Sequence, residues 1–168
     1  MSPLTLAISY FFHLVATVIW LGGLTVLAVM VHPAARRALA DQPTLYRLLN
    51  LVRRRFTPLA NFSLALLSVT GLFQMAGDPN YQGFLDFGNA WSVALLLKHI
   101  AFAGMVCCSL ALQYAVAPAL ERTTLLLERG KGREADAERL ARQEVTLTWV
   151  NTALGVFVLV FTAWMTAL

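Results

Sequence analysis

Four long apolar runs constrain this chain more than any other feature of its sequence. They cover roughly residues 4–31, 56–76, 90–117 and 145–168, and only the third contains a fixed charge, at Lys98. A helix needs about 20 apolar residues to cross the hydrocarbon layer of a bilayer, so each run is long enough to span it. Backbone polar groups in lipid must be satisfied within the segment, which favours helices. The sequence therefore predicts an all-α integral membrane four-helix bundle, formed by a single membrane domain of 168 residues.

The composition agrees with a membrane protein and excludes some other classes. Charged residues make up 13% of the chain and apolar residues 58%, whereas soluble domains carry about 25% charged residues. The net charge of +4 does not indicate a nucleic-acid partner, because the basic residues lie between the apolar runs and form no continuous face. The lipid bilayer is the predicted partner. Cys107 and Cys108 lie inside an apolar run and are interpreted as small packing residues.

The distribution of basic residues predicts how the chain is oriented. The first and third connections contain every Lys and Arg except Lys98, while the second contains only Asp78 and Asp86 as charged residues. Cytoplasmic connections are enriched in Lys and Arg, so we expect a multi-pass protein of the bacterial inner (cytoplasmic) membrane, N-out and C-out, with both termini in the periplasm. Leucines at helical spacing in the basic connections predict helix extensions on the cytoplasmic side. Pro33 is predicted to end the first helix, and Pro118 to break or kink the third.

Ionisable side chains inside the runs are candidates for chemistry, because inserting a lysine at the centre of a membrane helix costs about 2.5–3.5 kcal/mol. Besides Lys98, two histidines matter. His13 lies nine residues after Leu4, and His99 lies nine residues after Ala90. At a rise of 1.5 Å per residue, both histidines lie roughly 13 Å below the outer surface. Two imidazoles at one level on different helices of a bundle can hold a metal between them.

We therefore interpret His13 and His99 as the axial ligands of haem b, bound between the first and third helices. A single intramembrane histidine is more often a packing residue, but the common depth of two of the three histidines favours a shared cofactor. Trp20 shares the His13 face, and Lys98 is placed to pair with a propionate. The ring orientations are expected to be set by hydroxyl groups on the same helices, such as Ser9, Thr17 or Ser92.

A second polar group lies towards the cytoplasmic side. His32 is about 28 Å from His13 along the helix and cannot join the same site. Asn61, Gln113 and Asn151 fall at a similar level and predict an inter-helix polar cluster with His32. Structural contacts are the first interpretation of this cluster, and a quinone site or proton path is the alternative.

Copper is the alternative metal, because Cu(I) prefers thiolate and thioether ligands. The methionines inside the runs are scattered at positions 30, 75, 105 and 165 and do not form a Met-x-x-Met motif. Met75 and Met165 are expected near the outer surface, and Met105 is interpreted as a core residue. The residues alone therefore favour haem over copper.

Several segments resemble the copper-resistance D (CopD) family, especially its short stand-alone members. The first is His13-Leu-Val-Ala-Thr-Val-Ile-Trp20-Leu-Gly22-Gly23, followed by His32-Pro33-Ala34-Ala35. The later segments are Arg54-Arg55-Phe56, Ser68-Val69-Thr70-Gly71, Leu95-Leu96-Leu97-Lys98 and Asn151-Thr152-Ala153-Leu154-Gly155. Their order and spacing resemble the family over nearly the whole chain. The resemblance implies a four-helix membrane protein, and copper uptake in some relatives implies a role in copper import or resistance.

A more distant resemblance is to the HemJ-type protoporphyrinogen oxidases, which share a four-helix pattern with an intramembrane His and Lys and bind haem b. On this chain, the residues that correspond to this pattern are His13 and Lys98. The third run has Lys98-His99 where that family has His-x-Lys, which departs from the oxidase pattern.

The sequence as a whole predicts a haem b protein that transfers electrons, with a quinone or another redox protein as partner. Such a protein acts in electron transfer and is not expected to be a stand-alone enzyme. The alternatives are a subunit for copper import, a HemJ-like oxidase, and a non-catalytic helical subunit of a membrane complex. A homo-oligomer is compatible with each of these.

Overall fold

The computed structural model describes residues 2–39, 42–81, 83 and 88–167, with side chains omitted at 42 and 43. Within them, four helices are long and apolar enough to cross a membrane. They are α1 (Pro3–Ala38), α2 (Thr44–Gly77), α3 (Ala90–Glu128) and α4 (Glu134–Ala167). The helical backbone of α2 begins slightly earlier, at Gln42. The predicted all-α architecture with four spans is confirmed.

Each helix is longer than the hydrocarbon layer is thick. The four helices contain 36, 34, 39 and 34 residues, which corresponds to about 50–60 Å, against a hydrocarbon thickness of about 30 Å. The extra length is at the end of the bundle that holds the arginines of both basic connections, which we call the arginine end. The helix extensions predicted from the leucine spacing are therefore present. We call the opposite end, which contains His13 and His99, the histidine end.

Widened π-helical turns interrupt two of the long helices. They lie at Val18–Gly22, Leu27–Val31 and Leu112–Val116. The second and third come just before Pro33 and Pro118, which have no N–H to donate to the carbonyl four residues earlier. The prediction that Pro33 ends the first helix was wrong, because the chain continues as helix over His32–Ala38. At Pro118 the interruption is a widened turn, after which the helix continues to Glu128.

Helix α1 packs against α2 and α4, and α3 packs against α4 and α2, so α1 and α3 lie diagonally across the bundle. At the middle of the bundle, α1 and α2 approach closely at Gly23, where a Cβ would collide with the ring of Phe56. Residues from three helices form the adjoining core cluster, namely Ala16, Trp20, Leu24, Leu67 and Met105. A diagonal arrangement leaves space between α1 and α3 that side chains of all four helices can line.

The turn between α3 and α4 explains why these helices form an antiparallel pair. Gly130 adopts a φ of 68°, a left-handed conformation that favours glycine. Its N–H donates to the carbonyl of Leu127 at 2.9 Å, and the N–H of Lys131 donates to the carbonyl of Leu126 at 2.9 Å. These bonds satisfy carbonyls left open at the end of α3.

The outer surface of the bundle is apolar. Large apolar side chains such as Val18 and Phe62 are 71% and 66% exposed. Water disfavours contiguous apolar surface of this kind. Together with the four spanning helices, this surface places the chain in a lipid bilayer.

Candidate functional site

A cavity of about 320 Å³ lies at the histidine end, and we call it the histidine cavity. All four helices contribute to its lining. All four site residues predicted from the sequence line it, namely His13, Trp20, Lys98 and His99. Its other lining residues include Thr17, Ser68, Gly71, Phe102, Met105, Gly155 and Val158. The histidines predicted to share a depth therefore lie around one space.

The imidazole of His13 is held by α2. Its Nδ1 lies 2.8 Å from Oγ1 of Thr70. The Thr70 hydroxyl donates its own proton to the carbonyl of Leu66 at 2.6 Å, so Oγ1 accepts from Nδ1–H of His13. In the neutral ring, this bond leaves Nε2 as the nitrogen that carries a lone pair.

The imidazole of His99 is held within its own helix. Its Nδ1 donates to the carbonyl of Leu95 at 2.8 Å, because a carbonyl can only accept. The neutral ring thus has the same tautomer as His13, with the lone pair on Nε2. Histidines that bind metals commonly have this arrangement, in which a bond from one ring nitrogen fixes the ring and the other nitrogen is the ligand.

Ser9, Thr17 and Ser92 were predicted to orient these rings, but none of the three hydroxyl groups bonds a ring nitrogen among the described contacts. Thr17 donates to the backbone carbonyl of His13 at 2.8 Å, and Ser9 donates to the backbone carbonyl of Thr70 at 3.3 Å. The Oγ atom of Ser92 is buried with no partner among the described residues. Thr70, which holds the His13 ring, was missed because its contact with α1 depends on how two helices pack.

Lys98 lies beside His99 and is half-buried in the cavity wall. Within the described part of the chain, no carboxylate is within ion-pair distance of its ammonium group. A buried cation without a counter-ion is costly. Lys98 therefore makes the histidine cavity favourable for a ligand that carries negative charge.

A second cavity of about 380 Å³ extends towards the arginine end, and we call it the arginine cavity. Trp20, only 2% exposed, lines both cavities. In the wall of the arginine cavity, Arg53 forms an ion pair with Glu144 at 3.2 Å, and the two side chains are 17% and 7% exposed. Arg54 is paired with Glu121 at a more exposed position.

The predicted polar cluster is divided among several contacts. Asn61 and Gln113 form a reciprocal pair between α2 and α3, with bonds of 2.9 and 2.7 Å. Asn151 donates from Nδ2 to Oγ of Ser109 at 3.0 Å. His32, Gln113 and Asn151 line the arginine cavity, while Asn61 is not among its lining residues. His32 is separate from the histidine cavity, as its distance along the helix predicted.

The described residues contain no group of three or more His, Cys, Asp or Glu side chains arranged to hold a metal ion. One methionine nevertheless lies with the two histidines. Met105, 3% exposed, lines the histidine cavity, whereas Met75 and Met165 do not. The sequence-based interpretation of Met105 as a core residue did not predict that it lines the cavity.

The fold and its cavities define a multi-pass helical membrane protein with two imidazoles and one lysine around an internal space. The family model of Copper resistance protein D (CopD) matches residues 50–165, and the chain belongs to this family. The match includes Lys98 and His99 but not α1, so His13 and Trp20 lie outside it. The family links the chain to copper resistance. The searches of curated proteins and of solved structures found no match.

Proposed function

We propose that this protein binds haem b in the histidine cavity and transfers electrons within the bacterial inner membrane. His13 and His99 would hold it, each through Nε2. The observation that carries this proposal is the matching state of the two rings. The Nδ1–H of His13 donates to Thr70 on α2, the Nδ1–H of His99 donates to Leu95 on its own helix, and both rings line one cavity.

Lys98 helps to decide between haem and a bare copper ion. Both ligands can use imidazole nitrogens. A copper ion would add positive charge beside Lys98, whereas the propionates of haem would supply the carboxylates that the described residues do not place there. A second cation would add to the cost of burying Lys98, whereas a carboxylate beside it would reduce that cost. The charge in the cavity therefore favours the anionic macrocycle.

The volume and the largely apolar lining of the cavity are typical of a ligand site. Its volume of about 320 Å³ is within the range of about 300–1,000 Å³ for ligand sites. Leu14, Leu72 and Leu159 line it and are also exposed on the outer surface, so its edge is open towards lipid. A bound haem would supply one-electron chemistry at its iron. The protein would exclude water with apolar side chains and hold the ring plane through two imidazoles.

The arginines support an orientation for this electron transfer. Every Lys and Arg other than Lys98 lies in the first and third connections, and basic connections are typical of the cytoplasmic side. We therefore assign the arginine end to the cytoplasm and both termini to the periplasm. A quinone-like donor in the membrane and a redox partner at the outer surface would complete the path.

The direct test is the absorbance of detergent-purified protein, oxidised and then reduced with dithionite. We expect a Soret band and the spectrum of six-coordinate low-spin haem. His13→Ala and His99→Ala should each lose the low-spin spectrum, because each removes one axial ligand. Phe12→Ala and Ile100→Ala are matched controls, since these neighbouring side chains are 45% and 59% exposed to lipid. Absence of a Soret band, or an unchanged spectrum in His99→Ala, would disprove the proposal.

Copper binding is the second candidate, and Met105 is the observation that favours it. A thioether and two imidazoles around one cavity form a donor set that suits Cu(I), and the family is linked to copper resistance. If this candidate is correct, purified protein binds Cu(I), vesicles take up copper, and Met105→Leu abolishes both. Met165→Leu is the control, because Met165 does not line the cavity. Uptake equal to that of empty vesicles would exclude the copper candidate.

A further inference from the structure

Two polar atoms around the arginine cavity have no hydrogen-bond partner among the described residues. They are Oδ1 of Asn151 and Nδ1 of His32, in residues that are 1% and 8% exposed. Both residues line the cavity. If the Asn151 amide were turned over, its other polar atom would be left in the same position, since Ser109 satisfies only one. An unsatisfied buried polar group costs about 1–3 kcal/mol, so these atoms indicate a ligand that both donates and accepts hydrogen bonds.

The charges around this cavity indicate that the ligand is neutral. Arg53 is paired with Glu144, and Arg54 is paired with Glu121. Both guanidinium groups therefore already have carboxylate partners. A phosphate or carboxylate ligand would have to displace those pairs, whereas a neutral molecule would leave them intact.

Position and lining indicate a ring-shaped ligand that arrives from lipid. Asn151 lies 16 residues before the end of α4 at Ala167, a depth of about 24 Å, which is inside the hydrocarbon layer. The rings of Trp20 and Phe56 line the cavity. Tyr114 also lines it and is 77% exposed, so the cavity reaches the lipid-facing surface at α3.

From these observations we infer that the arginine cavity binds the head group of a membrane quinone, in its oxidised or reduced form. A 1,4-quinone is neutral, flat and soluble in lipid, and it has two oxygens, which accept hydrogen bonds in the quinone and also donate them in the hydroquinone. The amide of Asn151 and the imidazole of His32 are the polar partners for these oxygens. The inference rests on the proposed electron transfer, because it identifies the electron partner of that function. Trp20 lines both sites.

Binding is measured with full-length protein in lipid nanodiscs, titrated with a short-tailed 1,4-benzoquinone. We expect saturable quenching of tryptophan fluorescence, with Trp20→Phe removing most of the quenched signal. Asn151→Leu should weaken binding by roughly tenfold or more, since it removes one of the two polar partners, and His32→Leu should act in the same direction. Ser63→Ala is the matched control. Its Oγ is also buried without a partner among the described residues, but Ser63 does not line this cavity.

The outcomes separate this inference from the haem proposal. A His13→Ala/His99→Ala double variant should still bind the quinone, because neither residue lines the arginine cavity. Saturable binding by wild-type protein that carries no pigment would support the quinone site and contradict the haem proposal. A normal haem spectrum with quenching that rises linearly, as for partition into lipid, would overturn the quinone site. Equal affinity in wild type, Asn151→Leu and His32→Leu would also overturn it and would indicate that water fills the cavity.

Discussion

The two cavities of this bundle are neighbours, yet their buried cations differ in whether the protein supplies a counter-charge. In the arginine cavity, Arg53 has a carboxylate partner on α4 at 3.2 Å. In the histidine cavity, no carboxylate of the described chain is placed to pair with Lys98. Because a desolvated cation needs a counter-charge, the first cavity is electrically complete and suits a neutral ligand. The second requires a ligand that carries negative charge.

Breaking the ion pair between Arg53 and Glu144 should give the largest change in stability. Arg53→Met leaves Glu144 buried without its partner, and we expect the free energy of unfolding to fall by about 3–5 kcal/mol. Denaturant titration of the purified protein measures this. The double variant Arg53→Met/Glu144→Leu should recover most of the loss, since both charges are then removed. A single variant as stable as wild type would show that the pair is not desolvated.

Removing Lys98, which has no carboxylate partner among the described residues, should instead raise the free energy of unfolding. In protein prepared without haem, Lys98→Met should raise the free energy of unfolding by up to about 2.5 kcal/mol, the lower value for a lysine at the bilayer centre. The same variant should bind haem more weakly, whereas Lys98→Arg should retain binding. Denaturant titration and haem titration measure the two effects. Loss of stability in Lys98→Met would mean that Lys98 already has a compensating partner, and the contrast between the cavities would disappear.

The effect expected at the partner of the His13 ring is confined to haem binding. Thr70→Val keeps the shape of the side chain but removes the acceptor of Nδ1–H, which lies 2.8 Å from Oγ1. Changes of this kind around metal ligands reduce affinity by roughly 10–100-fold, and haem titration should show such a decrease. Thr17→Val is the comparison, because the Thr17 hydroxyl donates to the backbone carbonyl of His13 and, among the described residues, not to its ring. Equal affinities in the two variants would show that Thr70 does not position His13.

Much of the fold could be predicted from run lengths alone, but the helix ends could not. Apolar length fixes a spanning helix because lipid offers no other partner for backbone polar groups. Pro33 was expected to end α1, yet the chain continues as helix for another turn and more. The widened turn before it accommodates the missing N–H. A proline in the sequence therefore marks a disturbed turn but does not show whether the helix ends there or continues.

The sequence by itself determined the four helices and the common depth of His13 and His99, because a constant rise per residue converts position in a run into depth. Only the tertiary structure decided which side chains meet at that depth. Three features depend on the rotation and pairing of separate helices: the bond of Thr70 to the His13 ring, Met105 in the same cavity lining as the histidines, and Trp20 in the lining of both cavities. Those are set by the packing of many small contacts across the bundle, which no single run encodes.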